Sequence, residues 1–252
     1  MSLFISFEGC DGTGKTTQAR MLEQRLTEAG HKVVLLREPG STRLGDYLRS
    51  WLKDENRKGL TPESELFLFA AARSALVSET LLPLLEEERT VVIVDRYIDS
   101  TTAYQGYGRR LDLDDVARVN RLATGGLTPD ITVLLDGPVA DTLRRVGTSQ
   151  LPMAVGEQED EHARRIDGEG TRRFKEESVG FHERVRRGYG KIAAQDPDRF
   201  VVVNALLPVP EIADAIFDAV EPRLPADEPA PQEAHTLPLW PVAENASVAE
   251  TI

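Results

Sequence analysis

Eight consecutive residues, Gly9-Cys10-Asp11-Gly12-Thr13-Gly14-Lys15-Thr16, constrain this chain more than any other stretch. They match in full the loop pattern Gly-Xaa4-Gly-Lys-Ser/Thr, a phosphate-binding P-loop. The pattern has meaning only between a buried strand and a helix, and Leu3–Phe7 followed by about Lys15–Ala29 supplies both. Gly9, Gly12 and Gly14 let the backbone take positive φ and approach an anion closely. Successive backbone N–H groups then converge on phosphate oxygens, with the following helix N-terminus behind them. Lys15 brings a point charge to the β- and γ-phosphates. The Thr16 hydroxyl is placed to ligate Mg2+. All eight residues are therefore candidate contacts for ATP. Alone, the loop fits GTPases, motor ATPases, small-molecule kinases and nucleotide-binding regulators.

The rest of the 252-residue chain fits the fold that such a loop demands. Short continuous apolar runs at Val33–Leu36, Val91–Val94, Ile131–Leu135 and Phe200–Val203 join Leu3–Phe7 as buried strands. Helical patterns lie between them, at about Arg43–Lys53, Pro62–Glu87, Leu113–Leu122, Val139–Arg145, Thr171–Ala194 and Val209–Val220. Alternation of this kind predicts a doubly wound α/β domain: a five-stranded parallel sheet in a three-layer sandwich, over residues 1–222. Gly147–Gly170 has no period and reads as a lid, placed at about 147–173. Leu224–Ile252 is rich in Pro, Ala and acidic residues, has no Lys or Arg, and reads as a disordered tail covering residues 223–252. A net charge of −12 argues against a nucleic-acid partner. The single cysteine, Cys10, excludes an internal disulfide and suits a reducing compartment. No signal peptide and no apolar run long enough for a bilayer are expected, which makes the cytoplasm the default location.

Two further charged clusters sit at strand ends. Val94-Asp95-Arg96-Tyr97 closes the third strand, where Asp95 takes the place of a Mg2+-linked acid and Arg96 suits a second phosphate. Arg37-Glu38-Pro39-Gly40 closes the second. Together they point to two phosphorylated ligands, a donor and an acceptor.

At this point the sequence resembles the thymidylate kinase family. The matching residues are Phe7 to Thr17, Arg37-Glu38-Pro39-Gly40, Phe69-Ala70-Ala71-Ala72-Arg73, Asp95-Arg96-Tyr97 with Ser100, and Ala103-Tyr104-Gln105-Gly106. Thr128-Pro129-Asp130 and Leu135-Asp136 also match, so the likeness runs from residue 2 to about 221. The resemblance implies a nucleoside monophosphate kinase fold, ATP and Mg2+, dTMP as the acceptor, and a homodimer. It implies that Asp11 reads the acceptor's 3′-hydroxyl and helps position its phosphate, with Arg96 and Arg37 on that phosphate and Glu38 organising the site. Phe69 and Arg73, four apart on a helix, would stack on and hydrogen-bond thymine. Ser100 or Thr101, with Gln105, would meet the base's polar edge, and Tyr104 would crowd a ribose 2′-hydroxyl. Arg49 is a weaker pocket candidate. Arg145 resembles the family's adenine-stacking Arg, with Asn204-Ala205 near the adenine edge.

Phosphoryl transfer develops charge on the moving group, and an Arg is commonly placed there. In one branch of the family that Arg follows the P-loop acid. Here the position is Gly12, so the resemblance points to the branch that supplies Arg from the lid. The candidates are Arg164, Arg165, Arg172 and Arg173, with Arg165 or Arg173 preferred. The family's usual Asp-Arg and following Glu are replaced by Arg172 and Lys175, and Gln150–Glu161 is longer and more acidic than the family pattern. Two alternatives remain at this level: a kinase for another nucleotide or nucleoside, and a silent binder whose lid has lost transfer.

Overall fold

The computed structural model describes residues 2–53, 60–148 and 170–225, and for residues 53, 146–148 and 170–178 only the course of the backbone. The segment Gln150–Glu161, Arg164, Arg165 and the expected tail from 226 onward lie outside the described residues.

Five parallel strands form one sheet in the order β2-β3-β1-β4-β5. They are β1 (Leu3–Gly9), β2 (Lys32–Arg37), β3 (Thr90–Asp95), β4 (Ile131–Asp136) and β5 (Phe200–Asn204). The three central strands are buried along almost their whole length, as continuous apolar runs require. The edge strands β2 and β5 are only partly covered, with Val202 58% exposed. The expectation of five equally buried strands therefore holds for the middle of the sheet.

The helices cover both faces. Helix α1 (Lys15–Glu28) and the late helix α9 (Val209–Val220) pack on one side over Ile5, Phe7, Leu22, Ile93, Val133 and Ile216. Fully burying each such side chain is worth about 1.5–3 kcal/mol. The opposite side is covered by α3 (Pro62–Leu76), the short α4 (Leu82–Glu86) and α8 (Gly170–Gln195). Helix α3 starts where Thr61 accepts a hydrogen bond from the Ser64 N–H and Pro62 occupies the first turn. It passes through one wide π turn, Val77–Leu81, into α4. Pro83 explains the widening, because it lacks an N–H and its ring would strike a carbonyl one regular turn back.

The resulting rod, Pro62–Glu86, is long and apolar enough by length and composition to cross a bilayer, which the sequence reading did not anticipate. It lies instead against α2 (Arg43–Lys53) and α6 (Leu113–Thr124), and it buries the charge of Arg73 inside the protein.

A second π segment, Thr102–Gly108, continues the short helix α5 (Ile98–Thr101) and has no counterpart in the sequence reading. It packs closely on α8. A Cβ at Gly108 would stand 2.6 Å from the Phe181 ring, and one at Gly188 would stand 2.7 Å from Tyr107. Glycine at both positions is what permits the approach.

Candidate active site

The P-loop leaves the C-terminal end of the central strand β1, beside the ends of β3 and β4. This is the crevice at which doubly wound sheets bind ligands. Gly9, Gly12 and Gly14 have φ values of 137°, 79° and 95°, all in the region that only glycine enters freely. A Cβ at Gly9 would fall 2.4 Å from the Leu135 carbonyl oxygen. The Lys15 ammonium is buried and donates to the Cys10 carbonyl at 2.8 Å. Burial and the nearby Arg96 push its pKa down to about 8, which leaves it cationic at neutral pH. Thr13 is tied to the same Cys10 carbonyl at 2.8 Å.

Thr16 Oγ1 donates to Asp95 Oδ2 at 2.5 Å. The two oxygens therefore meet in the larger cleft beside the P-loop. A hydroxyl and a carboxylate are the hard ligands that Mg2+ accepts. Among the described residues there is no cluster of three or more His, Cys, Asp or Glu that would hold a metal without further ligands.

Arg96 sits at the centre. Its φ of 75° is left-handed, a conformation that costs a non-glycine residue about 1–3 kcal/mol and that concentrates at functional sites. Its guanidinium donates to Asp11 at 2.5 Å, Ser100 Oγ at 3.1 Å, Tyr104 Oη at 3.2 Å and the Gly9 carbonyl at 3.3 Å. Burial works to raise the Asp11 carboxyl, but Arg96 and Lys15 together hold it below its ordinary value.

Two adjoining cavities meet at this arginine. One, of about 900 Å³, contains the P-loop, Arg37, Asp95 and Arg145. The other, of about 270 Å³, contains Phe69, Arg73, Ser100, Thr101, Tyr104 and Gln105. Asp11, Glu38, Arg49 and Arg96 line both. The first is lined by charged side chains, among them Lys15, Arg37, Asp95 and Arg145; the second is mostly apolar, with a few convergent polar groups. Phe69 is half-buried and lines the smaller cavity.

A family model described as thymidylate kinase matches residues 7–165. The thymidylate kinase of Geotalea uraniireducens is 45% identical over 224 residues, covering 89% of this chain and 99% of the relative. That of Chlorobaculum tepidum is 43% identical over 220 residues, covering 87% and 97%. The chain belongs to the thymidylate kinase family. A crystal structure of the thymidylate kinase from Ehrlichia chaffeensis superposes with a TM-score of 0.66 at 31% identity, covering 87% of this chain and 98% of that one. The activity follows: the protein phosphorylates dTMP to dTDP with ATP.

Within the family site, several candidates are engaged in ways the sequence did not reveal. Arg73 is 1% exposed and pairs with the Glu38 carboxylate through two nitrogens. It also donates to Asn120 at 2.7 Å and Thr101 at 2.8 Å. Gln105 donates to Glu65 at 2.7 Å. Arg49 donates to the Pro39 carbonyl at 3.1 Å and Arg145 to the Ala205 carbonyl at 2.7 Å, so both arginines are steadied at the cleft wall. Arg37 faces solvent and pairs with Asp46 at 3.5 Å. Of the lid arginines, Arg172 and Arg173 lie in the first turn of α8, where only the backbone is described.

Sequence reasoning missed Glu8, Asn120, Glu65 and Tyr189. Glu8 carried a signal, a single carboxylate near the end of the mostly apolar strand β1. The others carried none, because their partners lie 18 to 181 residues away along the chain.

Proposed function

We propose that transfer is a direct, in-line displacement between an ATP in the larger cavity and a dTMP in the smaller one, without a covalent enzyme intermediate. The supporting observation is the shared wall: Asp11 and Arg96, locked together at 2.5 Å, stand where the two cavities join. Little covalent chemistry is asked of the protein in such a transfer; it positions the reactants and stabilises charge. The P-loop amides and Lys15 hold the donor phosphates. Arg96, with Arg37 and Arg49 beside it, clamps the acceptor phosphate. Phe69 stacks on thymine, and the edge of Tyr104 closes the space a 2′-hydroxyl would need. Thr16 and Asp95 would hold Mg2+, which would supply electrostatic neutralisation of the phosphate charge. With Gly12 in the P-loop, the transition-state cation comes from the lid, where Arg165 and Arg173 are the candidates.

The enzyme is further proposed to act in the cytoplasm as a homodimer, without nucleic-acid or membrane partners. Large apolar side chains left exposed on the neighbouring helices α3 and α6, Phe67 at 60% and Leu122 at 86%, support the dimer.

Coupled ADP release with dTMP, dUMP, UMP, dCMP and thymidine tests the reading, with Lys15→Met as the blank and a chelator arm for Mg2+. Preference for dTMP, and loss of turnover with chelator, is the expected result. Equal turnover of UMP, or a rate indifferent to chelator, would overturn it.

A further inference from the structure

The acceptor clamp does not stand alone. Behind it lies a fully buried carboxylate, Glu8, at the end of β1. Its Oε1 accepts the Tyr97 N–H at 2.8 Å and the Ser100 N–H at 3.3 Å. Its Oε2 accepts the Ser100 hydroxyl at 2.6 Å and the Tyr189 hydroxyl at 2.8 Å. Glu8 therefore pins the backbone at two points directly after Arg96, whose own conformation is left-handed. The Ser100 hydroxyl, having donated to Glu8, presents its lone pair to Arg96 at 3.1 Å. Tyr189 comes from the middle of α8, about 180 residues away in sequence, and its ring packs edge-on against Tyr104 at 6.3 Å. Tyr104 in turn accepts from Arg96.

We propose that Glu8 and Tyr189 are positioning residues for the acceptor phosphate, orienting Ser100, and through it the Arg96 guanidinium, from beneath the site. The inference rests on the reading of Arg96 as the acceptor-phosphate clamp. Two observations favour positioning over simple structural support. The four donors converge on one carboxylate that touches no cavity wall itself, while one of its partners, Ser100, does, as does Arg96, which donates to Ser100. And the carboxylate is held against its own ionisation: burial, then the nearby Asp99, push its pKa up to about 7. Such a group costs stability progressively as the pH rises from the ordinary carboxyl value of 4.5 through about 7, because the unfolded chain ionises it more easily.

The test is equilibrium binding of dTMP and of thymidine to the full chain, with steady-state kinetics alongside. The variants are Glu8→Gln, Tyr189→Phe, Arg96→Ala and the double variant Tyr189→Phe/Arg96→Ala. Glu8→Gln keeps Oε1 for the two backbone N–H groups and turns an amide toward the hydroxyls. Both single changes beneath the site are expected to weaken dTMP about tenfold, the scale of one hydrogen bond to a charged group. Thymidine affinity and the KM for ATP stay as in wild type. In the Arg96→Ala background, Tyr189→Phe adds less than about twofold, since it acts through the missing guanidinium. At pH 8, Glu8→Gln melts no lower than wild type. The proposal fails if Arg96→Ala weakens dTMP while Glu8→Gln and Tyr189→Phe do not. It fails equally if the losses in the double variant multiply, or if thymidine and ATP binding fall in step with dTMP. If Arg96→Ala itself leaves dTMP affinity untouched, the clamp reading falls, and the proposal with it. Should Glu8→Gln not fold, Tyr189→Phe decides, because its ring packing is retained.

Discussion

Arg73 offers the sharpest energetic test of how the base pocket is built. Its side chain and that of Glu38 are each about 1% exposed, and each is the other's main charge partner. Burial raises the Glu38 carboxyl above its ordinary value, and the guanidinium works against that rise. Replacing Arg73 by Met keeps the volume and removes the cation. It leaves a buried carboxylate alone, and also strips partners from Asn120, Thr101 and the Tyr97 carbonyl. Breaking a buried pair in this way costs about 3–5 kcal/mol. For a domain of this size each kcal/mol lowers Tm by about 2–4 °C, so a fall of about 6–20 °C is expected. The cost depends on pH. Without Arg73 the folded-state pKa of Glu38 rises further above its unfolded value, so the variant keeps stability at low pH and loses it as pH rises through that value. Urea unfolding at pH 5.5 and pH 8 should therefore show the larger deficit at pH 8. The double variant Arg73→Met/Glu38→Met removes both charges and should regain at least half of the loss. Additive losses in the double variant, or a deficit for Arg73→Met under about 1 kcal/mol, would refute the argument.

Two other expectations follow from the same geometry. Gly9→Ala places a Cβ 2.4 Å from the Leu135 carbonyl oxygen at a φ of 137°, and should weaken ATP binding at least about tenfold through about 1–3 kcal/mol of strain in the loop; wild-type affinity for a fluorescent ATP analogue would contradict this. Leu122→Glu, at a side chain 86% exposed, should leave the melting temperature unchanged within about 0.5 kcal/mol yet convert the proposed dimer to a monomer; an unchanged sedimentation coefficient would place the interface elsewhere.

Much of the protein was legible along the chain, for physical reasons. The P-loop is local: its chemistry needs consecutive amides, so Gly9 to Thr16 are consecutive in sequence and read directly. The central strands are legible because burial on both faces leaves no polar position in Val91–Val94 and only Thr132 in Ile131–Leu135. Arg96 and Asp95 could be placed because a strand end beside the loop is fixed by the sheet order. What tertiary structure alone decided is how these groups are held. The π segment at Thr102–Gly108 depends on packing against Gly188 and Phe181 of a helix some 80 residues later, which no local pattern records. Arg73 reads as a pocket arginine on a helix face, but its burial against Glu38 requires two distant elements to meet. The loop residues by themselves specify a bound triphosphate. Only folding brings Glu8, Ser100 and Tyr189 behind Arg96, because a buried carboxylate must collect its hydrogen-bond donors from wherever the chain returns to it.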